Sequence, residues 1–242
     1  MALVRDGVTH KGVNEIASLG SHGRHSGNVE RDYHRWMDLG RKSNRVSPYT
    51  FYLTLRDEST AKPSAGISRP VSVFLPYEYV HLAHERGEAV FGNSFVGPNG
   101  SDELTAFWQN AMEQPWGQRH PHISSADTWG TTLPILWHYD GVVVHNASGD
   151  KTELAIFSFS SRTARANTHD TRFPVLCVYA HMLVTKSFDE IATLVSWIME
   201  TLASGRGPHV GLYLEKFETG TLREKLAGRQ FAGGWRGILD GC

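Results

Sequence analysis

Leu133-Pro-Ile-Leu-Trp-His-Tyr-Asp-Gly-Val-Val-Val144 is an apolar run interrupted by a single carboxylate, Asp140. Its β-branched and aromatic content reads as a strand. The turn cluster His145-Asn-Ala-Ser-Gly-Asp-Lys151 follows it. Glu153 to Ser160 then alternates, with Leu154 and Ile156 on one side and Ala155, Phe157 and Phe159 on the other. A period of two marks a half-buried strand. Beyond a polar loop over 161–172, Phe173 to Ala180 predicts a third strand. Ser187-Phe-Asp-Glu190 has the form of a capping box. Behind it, Ile191, Leu194, Val195, Ile198 and Leu202 recur at helical spacing until Gly205 stops the helix. Val210 to Phe217 is expected as a strand, Thr221 to Ala227 as a short helix and Trp235 to Leu239 as the last strand. Three adjacent strands, a helix, then further strand and helix make an α+β or α/β chain.

Upstream, Tyr49-Thr-Phe-Tyr-Leu-Thr-Leu55 and Val71-Ser-Val-Phe-Leu75 predict two strands around an exposed loop over 57–70. Tyr77 to Arg86 and Asp102 to Met112 predict helices, the first stopped by Gly87. These elements make a smaller α+β region over residues 48–130, ahead of a core over 131–242. Residues 1–47 differ in kind, with eight Lys/Arg, five acids, four His and little apolar material. They read as a flexible, mildly basic lead-in containing a short helix from Val29 to Leu39.

Across its 242 residues the chain carries 24 Lys+Arg against 25 Asp+Glu, which argues against a dedicated polyanion binder. A hydrophobic content of 40% rules out a wholly disordered chain. No run approaches the roughly 18 apolar residues of a spanning helix. The first thirty residues hold no secretory apolar region. The expectation is an intracellular protein, nuclear or cytoplasmic, that is not secreted and has no membrane partner. Cys177 and Cys242 are too few for a disulfide framework. Walker, dinucleotide-glycine and G-x-S-x-G motifs are absent from the sequence, so no small-molecule cofactor is evident.

The chemistry centres on Asp140, because a carboxylate among apolar residues is costly to bury without a partner or a metal. Strand alternation puts Leu136, His138, Asp140 and Val142 on one face. Three readings compete. Asp140-Gly141 could be the two-residue turn of a short hairpin. His138-Tyr-Asp140 could be half of an Fe(II) facial triad completed by His181 or His209, giving an oxygenase. Finally, Asp140 could belong to a nuclease-type site, in which acids from separate elements converge on metal ions about 4 Å apart. The ribonuclease-H-like fold does this with one Asp inside its first strand and another at the end of its fourth, which lies beside the first. Asp140 lies within strand one of a β-β-β-α order, and Asp240 terminates Trp235-Arg-Gly-Ile-Leu239.

Leu133-Pro-Ile-Leu-Trp-His-Tyr-Asp-Gly141, Phe173-Pro-Val-Leu176 and Gly233-Gly-Trp-Arg-Gly-Ile-Leu-Asp-Gly241 resemble a group of repetitive dinoflagellate open reading frames. Those in turn resemble eukaryotic DDE transposases of the Plavaka and Kyakuja-Dileera-Zisupton type. The resemblance runs from about Pro48 to Cys242. It implies a ribonuclease-H-like core that binds Mg²⁺ and acts on DNA, with Asp140 as the first metal-binding acid and Asp240 as the second. A DDE site needs a third carboxylate on a later helix, whereas the sequence stops two residues past Asp240. The expectation is therefore a truncated, transposase-derived copy, inactive as this chain, with a partial core that exposes one side of its sheet.

A second class of function is a non-catalytic nucleic-acid or protein binding module. Arg162, Arg165 and Arg172 in the 161–172 loop are its candidate phosphate contacts. The seven tryptophans are scattered rather than interleaved with basic residues and read as packing residues. Cys177, in a strand expected to be buried, reads as a small core residue.

Overall fold

The computed structural model describes residues 46, 48–57, 66–123, 125–145, 151–165 and 171–239, which fall in one compact unit. The lead-in expected over 1–47, with its Val29–Leu39 helix, lies outside the described residues apart from Val46. The architecture is mixed α+β. Strands β1 (Tyr49–Arg56) and β2 (Gly66–Val73) form an antiparallel two-stranded sheet. Alternate residues of β1, namely Tyr49, Phe51, Leu53 and Leu55, face the core. The expected loop over 57–70 is shorter than its Pro and Gly content suggested, because Gly66 to Pro70 already pair with β1. Pro70 is tolerated there because a two-stranded ribbon has a free edge on each strand.

Helices α1 (Pro76–Glu85), α2 (Glu88–Phe91), α3 (Ser101–Met112) and α4 (Pro115–Gln118) follow. Pro76 opens α1 at a position where its missing N–H costs nothing. Then come β3 (Thr132–His145), β4 (Lys151–Ser161) and β5 (Phe173–Tyr179), with β4 antiparallel to both β3 and β5. Helix α5 (Thr185–Ser204) crosses the sheet, α6 (Leu222–Leu226) is a short turn of helix, and β6 (Arg236–Leu239) closes the order. The sheet runs β5-β4-β3-β6, with β6 parallel to β3.

The hairpin expectation for Asp140-Gly141 is overturned. β3 runs straight through, with Asp140 opposite Ile156 and Gly141 opposite Ala155. The ladder with β4 continues to His145 opposite Lys151, beyond which residues 146–150 lie outside the described residues. A turn at 140–141 would cut that ladder short. The expected strand over 210–217 is absent as well. Gly211 N–H instead donates to the Glu215 carbonyl at 2.9 Å, Leu214 sits at φ 66°, and the Glu215 carboxylate accepts from Tyr213 N–H at 2.9 Å.

One face of the sheet makes the core. Leu133, Ile135, Ala155, Phe159 and Val178 are buried in one cluster with Ile191, Leu194, Ile198 and Leu202 of α5 and with the inner residues of β1 and α1. Trp137 Nε1 reaches Met199 Sδ of α5 at 3.2 Å. Gly237 lets that helix come close, since a Cβ there would meet Ile135 and Leu202. Gly205, at φ 65°, ends α5 in the left-handed conformation that glycine adopts without a steric penalty.

The residues expected to cap α5 also hold it to β1, with Ser187 capping from the third helical position and not as the N-cap itself. The helix begins at Thr185, so Ser187 lies in its first turn, accepts from Val184 N–H at 2.9 Å and donates to the Thr54 carbonyl. The Glu190 carboxylate takes both Thr54 N–H (2.6 Å) and Thr54 Oγ1 (2.7 Å). A buried ion pair ties α1 to α6, with Arg223 Nε 2.6 Å from Glu78 Oε1. Among the described residues no helix is long and apolar enough to cross a membrane.

Removing one partner of a buried pair strands the other charge, so Glu78→Leu should cost about 3–5 kcal/mol in urea unfolding. The double variant Glu78→Leu/Arg223→Met should recover much of that loss. Equal destabilisation of the single and double variants would show that the pair carries no such coupling.

Candidate functional site on the open face of the sheet

The second face of the sheet is covered at its base, where Ile238 packs with Trp108, Ala111 and Ile123, and open farther along β3, β4 and β5. Leu136, His138, Asp140 and Val142 of β3 lie on it, beside Leu154, Ile156, Ser158 and Ser160 of β4 and Cys177 and Tyr179 of β5. Asp140, Val142, Cys177 and Tyr179 are exposed. Cys177 is therefore not the core residue that its apolar strand implied, because it points away from α5.

Asp140 does not carry the burial cost inferred for it. Its side chain is 57% exposed, because the apolar neighbours Val142 and Val143 are themselves in the uncovered end of β3. Its Oδ2 lies 3.6 Å from Arg172 Nη1, which reaches across β4 from the start of β5. An exposed pair of this kind contributes at most about 1 kcal/mol.

Two residues back on the same face, His138 Nε2 lies 2.7 Å from Ser160 Oγ. Burial first, and the positive charge of Arg172 second, push the His138 imidazole below its ordinary range. The result is a neutral imidazole on a serine hydroxyl beside an Arg–Asp pair. The sequence singled out His138 and Asp140 but not Ser160. The signal that would have found it is register: with His145 opposite Lys151, position 138 pairs with 158 and lies diagonal to 160.

Asp240 lies outside the described residues. The last described residue of β6, Leu239, is level with Ile135. Asp140 lies five positions farther along β3, roughly 16 Å at about 3.3 Å per residue. Among the described residues, no group of three His, Cys, Asp or Glu side chains is placed to hold a metal ion. His181, offered as a distal iron ligand, sits in the turn after β5 with its ring against Tyr179. His209, the other, lies against Gly228 in the loops after α5.

The three arginines part company. Arg172 faces Asp140. Arg165 Nη2 binds Glu103 Oε1 of α3 at 2.7 Å and, as the largest cause, holds that carboxyl below its usual range. Arg162 is exposed where β4 ends, its backbone N–H donating to the Pro134 carbonyl at 2.9 Å. A fourth arginine, unremarked in the sequence, does more structural work. Arg236 of β6 donates to Thr132 Oγ1 at 2.7 Å, to the His122 carbonyl at 3.0 Å and to Thr128 Oγ1. Beside it, a cavity of about 350 Å³ opens between α5 and β6, lined by Val195, Met199, Ala203 and Leu239 with His120 and His122 at its edge.

Compared with known protein families, curated proteins and solved structures, the chain matches none.

The placement of Arg172 over His138 has a measurable consequence. Arg172→Gln should raise the His138 pKa towards its ordinary value, while burial keeps it below, as followed by an NMR titration of the ring proton. His138 binds its proton more weakly when folded, so its contribution to stability is complete above the unfolded value of about 6.5. That contribution is lost as pH falls through the folded value. A titration indifferent to Arg172→Gln would contradict the placement.

Proposed function

We propose that residues 131–242 are a ribonuclease-H-like core and that the chain is a transposase-derived protein, inactive in DNA cleavage by itself. The observation that carries this reading is the strand order. β3, β4 and β5 run antiparallel, α5 crosses over, and β6 returns parallel to β3 and beside it. That is the order in which a ribonuclease-H-like fold brings its fourth strand against its first. In DDE transposases such a fold supports Mg²⁺-dependent phosphoryl transfer on DNA, with carboxylates converging on the metal ions.

The described residues do not make that converging set. Asp140 is engaged by Arg172, and β6 up to Leu239 stays level with the base of β3. No cleavage step is therefore assigned to Asp140, and Asp240, which this reading makes the second Mg²⁺-binding acid, lies outside the described residues. Under this reading the protein is intracellular, nuclear or cytoplasmic, and its partner is DNA. The open face supports a second reading, a non-catalytic nucleic-acid or protein binding module in which Asp140 only positions Arg172.

Incubation of the chain with plasmid DNA and Mg²⁺ tests the first reading. No nicking above background is expected, with wild type and Asp140→Ala alike. Robust Mg²⁺-dependent cleavage that disappears in Asp140→Ala would overturn the inactivity. DNA affinity unchanged by Asp140→Asn but weakened by Arg172→Gln would favour the binding module.

A further inference from the structure

β3 is much longer than the strand that flanks it. β6 pairs only with Thr132 to Ile135, whereas β3 continues to His145. Residues 136–145 therefore pair with β4 on one edge, and on the other edge no backbone partner is found among the described residues. At about 3.3 Å per residue this is roughly 33 Å of strand with alternate N–H and C=O groups unsatisfied by the ladder.

Long free edges are templates for strand addition, and soluble proteins blunt them with Lys, Pro, bulges or short lengths. Of such guards this edge has one exposed charge, Asp140, which Arg172 faces. Residues 136–145 read Leu-Trp-His-Tyr-Asp-Gly-Val-Val-Val-His, without Lys or Pro, and their register with β4 is unbroken. The exposed apolar side chains cluster along it. Tyr139 is 56%, Val142 39% and Val143 58% exposed, on both faces of the strand.

We infer that this edge is a self-association site, where β3 pairs antiparallel with β3 of a second copy of the chain to make one continuous sheet. Charge decides the occupant. Asp140 is the stretch's one acid, the stretch has no Lys or Arg, and Arg172 offsets that acid from within the same chain. The edge thus presents a nearly neutral apolar strand, which suits another like itself and offers little to an acidic or a basic segment. A two-fold axis normal to the sheet keeps the two open faces on the same side. Set beside Gly141, it puts Tyr139 of each copy opposite Val143 of the other, an aromatic on a β-branched residue. That register also keeps the two Asp140 carboxylates from facing each other.

Sedimentation velocity of the full chain at micromolar concentration tests this. Wild type should sediment as a dimer. The exposed-site variant Tyr139→Lys/Val143→Lys should halve the apparent mass, with far-UV circular dichroism unchanged. Mixed with Tyr139→Glu/Val143→Glu, it should return to the dimer mass, because the pairing brings opposite charges together. A wild type that stays monomeric, a lysine variant that stays dimeric, or a mixture that fails to re-associate would each overturn the inference.

Discussion

Parallel pairing of four residues of β6 with the base of β3 is the constraint on which the rest of the chain depends. Parallel neighbours cannot be joined by a tight turn, so the chain must cross the sheet between β5 and β6. It does so with α5, a twenty-residue helix whose Ile191, Leu194, Ile198 and Leu202 bury against the sheet. The same contact fixes which face is core and which is open. Side chains at odd positions of β3 up to Trp137 go under α5, and those at even positions beyond Leu136, including His138 and Asp140, go to the uncovered face.

Polar contacts then lock that arrangement from its margins. Thr54 of β1 is gripped by Ser187 and Glu190, so the first sheet sets the start of α5. Arg236 binds Thr132, His122 and Thr128 together, which anchors β6 to the segment leading into β3. Trp108 of α3 donates to the Thr132 carbonyl at 2.7 Å from a second small apolar cluster with Ile123 and Ile238. The residues at the base of β3 are thus heavily tied, while those from Tyr139 onward are not. A rigid base and a free edge in one strand follow from the same short β6.

Much of the fold was legible because its signals are local. The period-two run at 153–160, the helical spacing of Ile191 to Leu202 and the stop at Gly205 each produce the element they specify. Where the sequence misled, the deciding partner was distant. Ser187 and Glu190 look like an N-cap and its partner, yet Ser187 caps Val184 from within the helix and both side chains reach Thr54, more than a hundred residues away. Gly66 to Pro70 read as loop, yet β1 recruits them. Asp140 sits among valines that periodicity cannot distinguish from core, and only the shortness of β6 shows that they are surface. The site was legible to the extent of His138 and Asp140 as residues of interest. Their partners Ser160 and Arg172 depend on register across two strands, which an apolar pattern does not carry.

The direction of β6 decides whether the sheet has a ribonuclease-H-like order. Interstrand NOEs between backbone protons of β3 and β6 in the isotope-labelled chain measure it directly. Thr132 should lie against Arg236 and Ile135 against Leu239, the contacts rising together along both strands. Contacts in the reverse order, Thr132 against Leu239 and Ile135 against Arg236, would make the pair antiparallel and remove the basis of the ribonuclease-H-like reading.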